Sequence, residues 1–121
     1  MSVEQEIKSK ILLDKRPWGF FKQYAHNQQC TVKIITVTEG GVLSSQSHQN
    51  RDELWVVLDE GLKVELDGKA IYPKPGDEIV IPKKAVHRMS CQKGACRVME
   101  VSFGFFDEND IERYDDIYGR A

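Results

Sequence analysis

Leu62-Lys63-Val64-Glu65-Leu66-Asp67-Gly68-Lys69-Ala70-Ile71-Tyr72 is the stretch that decides the fold class. Two short runs flank Asp67-Gly68, a pair suited to the type I′ turn of a two-residue hairpin. The same grammar continues in both directions. Phe20 to Tyr24, Cys30 to Thr38, Leu54 to Leu58, Glu78 to Ile81, His87 to Ser90 and Arg97 to Phe103 are short runs rich in β-branched or aromatic residues. Glu39-Gly40-Gly41, Asp59-Glu60-Gly61, Pro73-Lys74-Pro75-Gly76-Asp77 and Gln92-Lys93-Gly94 punctuate them. Regular short strands with such turns predict an all-β sandwich or barrel. At the start, Val3, Ile7 and Ile11 recur about one helical turn apart, which predicts a short helix or arm ended by Pro17 and Gly19. The division expected is an arm over residues 1–15 and a β domain over 16–121, with one or two helical turns between Glu108 and Tyr118.

Composition narrows the class further. A chain of 121 residues is one domain. With 40% apolar and 30% charged residues it is too apolar to be disordered. Lys plus Arg number 17 and Asp plus Glu 19, a net −2 that argues against a nucleic-acid binder. Apolar runs such as Leu54 to Leu58 are too short to span a bilayer, and the polar start Met1-Ser2-Val3-Glu4-Gln5-Glu6 lacks a signal peptide's apolar stretch. Cys30, Cys91 and Cys96 have no CxxC spacing, so free thiols in a reducing cytoplasm are expected. Residues 107–120 hold six acids and two bases. The remainder is mildly basic and suits an anionic small molecule.

Chemistry concentrates around two of the three histidines, since His26 reads as a loop residue. Gly40, five residues, Gln46, one residue, His48, four residues, Glu53 is one context. Gly76, five residues, Pro82, four residues, His87 is the other. Together they resemble the two signature motifs of the cupin superfamily, with Gln46 in place of the first histidine, Glu60 at a later glycine, Lys84 at another glycine and Cys91 at an asparagine. The resemblance implies a jelly-roll β-barrel and a metal held by Gln46, His48, Glu53 and His87. Side chains two apart on a strand share a face, so Gln46 and His48 can look into one interior. This N/O set suits one divalent ion, zinc foremost, with Mn, Fe, Co or Ni able to replace it.

A closer resemblance covers Arg16 to Arg120. Arg16-Pro17-Trp18-Gly19, Leu43-Ser44-Ser45-Gln46-Ser47-His48-Gln49-Asn50-Arg51-Asp52-Glu53-Leu54-Trp55, Ile81-Pro82, His87-Arg88 and the segment Asp110 to Arg120 are similar to type II mannose-6-phosphate isomerases. Many of these are fused to a mannose-1-phosphate guanylyltransferase, a module for which 121 residues leave no room. Gln49, Asn50 and Leu54 stand where that family has histidines, none of them at a cupin ligand position.

The activity implied is interconversion of mannose 6-phosphate and fructose 6-phosphate through a cis-enediol. That needs a Lewis acid, a base and cations for the phosphate. Glu100 is the candidate base, because it shares the less apolar face of its strand with Val98 and Ser102. Lys33, Arg51, Arg88 and Arg113 are the candidate cations, Arg51 also being placed among the catalytic residues. Trp18 and Trp55 are expected to pack the core, Trp55 bordering the pocket and Val57 beneath it, with Leu54 facing away. The alternatives are a sugar-phosphate-binding cupin without turnover, a nucleotide-sugar epimerase or ketoisomerase, and a non-haem iron dioxygenase. A homodimer through the arm and through Phe103, Phe105 and Phe106 is implied by analogy with other cupins.

Overall fold

The computed structural model describes residues 2–120; Met1 and Ala121, the outer ends of the two expected segments, lie outside the described residues. Helix α1 (Val3–Ser9) opens on a capping box: Ser2 Oγ accepts from the Gln5 N–H, and the Gln5 side chain accepts from the Ser2 N–H. It is shorter than its apolar spacing suggested. From Leu12 the chain runs as a hairpin, β1 (Leu12–Arg16) against β2 (Gly19–Gln23), that joins neither main sheet. Pro17 and Trp18 form its tip. Trp18 is therefore 74% exposed instead of packing the core.

Nine further strands follow: β3 (Cys30–Thr38), β4 (Ser45–Ser47), β5 (Glu53–Val57), β6 (Leu62–Leu66), β7 (Lys69–Ile71), β8 (Glu78–Ile81), β9 (His87–Cys91), β10 (Ala95–Phe103) and β11 (Glu112–Asp115). They make two antiparallel sheets, β3-β10-β5-β8 and β11-β4-β9-β6-β7. The result is the jelly-roll arrangement of a cupin. Asp67 and Gly68 both take positive φ, +47° and +83°, as a type I′ turn requires. The segment Glu108 to Tyr118 is not helical: it carries β11, which pairs Glu112 with Ser47 and Arg113 with Gln46.

Why β5 reads as an unbroken apolar run is clear from its surroundings. Trp55 and Val57 face the other sheet, in a core with Val37, Leu62, Val64, Ile81, Met89 and Val98. Leu54 and Val56 face the opposite way and are still buried, with Val80 and Val101 under Ile7, Ile11, Tyr24 and Phe103. The N-terminal helix thus roofs a face that would otherwise meet water, and each such fully buried side chain stabilises the fold by roughly 1.5–3 kcal/mol.

The inward face also changes character along its length. On β3 it runs from Val37 through Ile35 to Lys33, and on β5 from Val57 through Trp55 to Glu53. On β9 it runs from Cys91 through Met89 to His87, and on β10 from Cys96 through Val98 to Glu100 and Ser102. Strand register brings Glu100 opposite Lys33 and Ser102 opposite Glu53, so all the polar ends collect at one mouth of the barrel.

Candidate metal centre

His48 follows β4, Glu53 opens β5 and His87 opens β9. Their donor atoms lie within 4.8 Å of one another, and all three residues are buried. The imidazoles are held in one tautomer. His48 Nδ1 lies 2.7 Å from the Asp110 carbonyl and His87 Nδ1 lies 3.0 Å from the Ala85 carbonyl. A carbonyl only accepts, so each Nδ1 carries the proton and each Nε2 presents a bare lone pair. Such a second hydrogen bond is the usual orienting device of a metal-bound histidine.

His87 Nε2 is buried with no hydrogen-bond partner among the described residues. A buried lone pair without a donor costs stability unless something fills it. Burial also pushes the His87 imidazolium down from its ordinary range, outweighing the Ala85 carbonyl and the Glu53 charge, and keeps the ring neutral. The residues present therefore fit a divalent ion: two imidazoles whose Nδ1 protons are committed to carbonyls and one carboxylate, with the orphaned His87 nitrogen among them.

Glu53 is the anionic member. Burial raises its carboxyl, but the hydrogen bond and charge of Arg51 oppose that and it lies below the usual carboxylate range. Glu53 Oε1 accepts from Trp55 Nε1 at 3.0 Å and Oε2 accepts from Arg51 Nε at 2.8 Å. Trp55 thus borders the site as expected, and its indole edge meets the His87 ring at 5.4 Å between centroids.

Beside this cluster is a cavity of about 310 Å³ lined by Lys33, Ile35, Gln46, His48, Arg51, Glu100, Phe106, Glu108, Ile111 and Arg113. Of the residues expected at the site, Gln46, His48, Glu53, His87, Glu100, Lys33, Arg51 and Arg113 are brought to this end of the barrel. Gln46 pairs with His87 across the β4–β9 ladder, and its Oε1 accepts from Ser44 Oγ at 2.9 Å. Glu100 is buried and accepts from Ser102 Oγ at 3.1 Å. Burial and the nearby Glu53 charge push its carboxyl up to about 7, against the Ser102 hydrogen bond and the charges of Lys33 and Arg51.

Arg88 is not brought here. It follows inward-facing His87 on β9, so it points outward, where its guanidinium donates to the Leu43 carbonyl and to Asp115. Gln49 and Asn50 are exposed, and Leu54 faces away from the cavity in the second apolar cluster.

Sequence reading missed several contributors. Asp110 accepts the Gln49 and Asn50 N–H groups on its carboxylate while its carbonyl orients His48. Burial raises the Asp110 carboxyl, but those two N–H donors leave it below its ordinary value. Phe106 lies under two cations, with Lys33 Nζ 4.0 Å and Arg51 Cζ 4.5 Å from its ring centre. Asp110 stood inside the similar C-terminal segment without a role, because its partners are about 60 residues away in sequence.

A jelly roll whose polar mouth holds two histidines and a glutamate defines a cupin. The chain belongs to the family described as mannose-6-phosphate isomerase C-terminal, whose model matches residues 4–116. It is 36% identical over 108 residues to the alginate biosynthesis protein AlgA of Pseudomonas aeruginosa, covering 88% of this chain and 22% of that protein. It is likewise 36% identical to the mannose-1-phosphate guanylyltransferase of Escherichia coli, covering 88% of this chain and 23% of that one. The chain thus spans less than a quarter of the length of these relatives. Among solved structures it is similar to KdgF from Halomonas sp., with TM-score 0.61 and 22% identity over 70% of this chain and 77% of that one. It is also similar to a putative sugar phosphate isomerase from Acidithiobacillus ferrooxidans, with TM-score 0.58 and 16% identity over 68% of this chain and 53% of that one. At such identities the structural likeness concerns the fold alone.

Proposed function

We propose that this domain is a metal-dependent aldose–ketose isomerase acting on a sugar phosphate, of the mannose 6-phosphate to fructose 6-phosphate type. The observation that carries this reading is a buried His-Glu-His donor set next to a cavity that one of its members, His48, lines together with a buried carboxyl and a rim of cations. His48, Glu53 and His87 would hold the ion, with the Gln46 amide oxygen as a fourth donor. When bound, a divalent ion such as zinc supplies Lewis acidity toward a carbonyl and its neighbouring hydroxyl.

The remaining work falls to the chain's own side chains. Glu100 takes a proton from C2 of the aldose and returns it to C1 on the same face, which fits a cis-enediol, while the proton of the C2 hydroxyl passes to the carbonyl oxygen on C1. A carboxyl poised at about 7 can both accept and give a proton near neutrality. Ser102 fixes one of its oxygens, and Glu100 lines the cavity. Lys33 and Arg113 receive the phosphate, Arg113 with a fork that can grip two oxygens. Buried Arg51 holds the Glu53 carboxylate in place.

A second reading, a sugar-phosphate-binding domain without turnover, is favoured by Gln46, a weaker donor than the imidazole at the matching cupin position. The test is the metal-loaded protein incubated with mannose 6-phosphate in D₂O, scoring fructose 6-phosphate by a coupled assay and deuterium at C1 of that product by mass spectrometry. Product together with exchange supports the isomerase. Saturable binding with neither product nor exchange supports the binding domain instead.

We further propose a homodimer. Of the three phenylalanines expected at its surface only Phe105, 76% exposed, is free, since Phe103 packs the second apolar cluster and Phe106 lines the cavity. The exposed apolar residues of the β1–β2 hairpin, Leu12, Leu13, Trp18 and Phe20, and of the edge strand β3, Val32 and Ile34, replace them as the contact. No helix among the described residues is long and apolar enough to cross a membrane.

A further inference from the structure

We propose that Arg51 is an internal cation that competes with the metal for His48, so that metal entry displaces its guanidinium from that ring. The inference rests on the metal-site reading above and extends it to a residue outside the ligand set.

The geometry is specific. The Arg51 side chain is only 8% exposed. Its Nε donates to Glu53 Oε2 at 2.8 Å, its Nη1 to the Asp107 carbonyl at 3.2 Å, and its Nη2 lies 3.3 Å from His48 Nε2. His48 has already committed its Nδ1 proton to the Asp110 carbonyl. Its Nε2 therefore owns one lone pair, which can accept from a guanidinium N–H or bind an ion, but not both. Glu53 is different: a carboxylate oxygen carries two lone pairs, so the Arg51 Nε bond to Oε2 can persist beside an ion. His87 Nε2 has no hydrogen-bond partner among the described residues. Of the three donors, His48 alone must change partner.

Charge points the same way. Without metal, a buried carboxylate with no counter-charge would be costly, and Arg51 is the cation that meets it. With metal, a guanidinium and a dication sit on the same carboxylate and repel each other in a site of low effective dielectric. Phe106 supplies a contact that can outlast the bond to His48: its ring carries the Arg51 guanidinium at 4.5 Å.

This gives a result opposite in sign to that of a mere orienting role. An outer partner that only positions Glu53 would weaken metal binding by about 10- to 100-fold when removed. A competitor strengthens it. The experiment is isothermal titration of Co²⁺ into chelator-stripped wild-type, Arg51→Met and Arg51→Lys proteins at pH 7.5, with melting temperatures recorded with and without the ion. One site per chain is expected. R51M should bind at least tenfold more tightly and show a lower metal-free melting temperature with a larger rise on loading. R51K, whose single ammonium cannot reproduce the fork spanning Glu53 and His48, should fall between. Should R51M fail to fold without metal, the R51K comparison decides alone. Unchanged or weaker binding in the variants, with one site in the wild type, overturns the competition while leaving the metal site standing. Uptake by none of the three proteins overturns both.

Discussion

Glu100 shows at a single residue how burial makes chemistry. Its carboxyl is driven up to about 7 by desolvation first and by Glu53 second. The consequence for stability has a definite sign. Between pH 4.5 and about 7 the unfolded chain has lost this proton and the folded one has kept it, so stability falls as pH rises through that window and levels off above it. Glu100→Gln should therefore stabilise the metal-free protein at pH 8 relative to pH 4, by on the order of 2–3 kcal/mol. The same change should lower turnover by roughly 10²–10⁴-fold. Urea titrations at the two pH values and a steady-state assay check both halves. Residue-scale reading of the sequence reached Glu100 through strand parity, and His48, Glu53 and His87 through the resemblance to the cupin motifs. Applied to Arg88, the same parity excludes it, since a residue next to an inward His87 must point out. Arg51's depth was not legible: it lies in a turn, where no periodicity says which way a side chain goes.

Element boundaries were legible wherever β-branched runs met Gly- or Pro-bearing turns, and β3, β6 and β8 match the expected runs residue for residue. The C-terminal segment was not. Ile111, Tyr114 and Ile117 recur every three residues as in a helix, yet pairing with β4 prevails and makes β11 a strand. Lys84 holds φ +69° while its N–H donates to the His48 carbonyl at 2.6 Å, at a position where the cupin pattern has glycine. Lys84→Gly should relieve left-handed strain and stabilise the fold by about 1 kcal/mol in urea denaturation. The tail beyond β11 is pinned by Asp116, whose carboxyl Arg120 and the Tyr118 and Arg120 N–H groups hold down at about 2. A depressed carboxyl stabilises above its ordinary 3.8 and loses that contribution as pH falls through about 2. Hydrogen exchange at Tyr118 and Arg120 should accelerate over that range, and Asp116→Asn should abolish the acid dependence.

On the scale of the whole molecule, one barrel end is filled with apolar side chains and the other with His48, His87, Glu53, Glu100 and a set of cations. The fold class was readable because strands and turns are local. Closure of the barrel was not, since His48 and Glu100 meet only through pairings across dozens of residues, and family resemblance had to supply it. The hairpin's apolar surface should drive self-association: Trp18→Ser with Ile34→Glu should convert a dimer at micromolar concentration into a monomer in sedimentation velocity, without moving the metal affinity. The most direct test of the central claim is a reactivation titration. Chelator-stripped protein should convert mannose 6-phosphate negligibly, regain activity linearly up to one equivalent of added ion, and fail to do so as His87→Ala. Full turnover in the stripped protein or in His87→Ala, or none in the loaded wild type, would contradict the account.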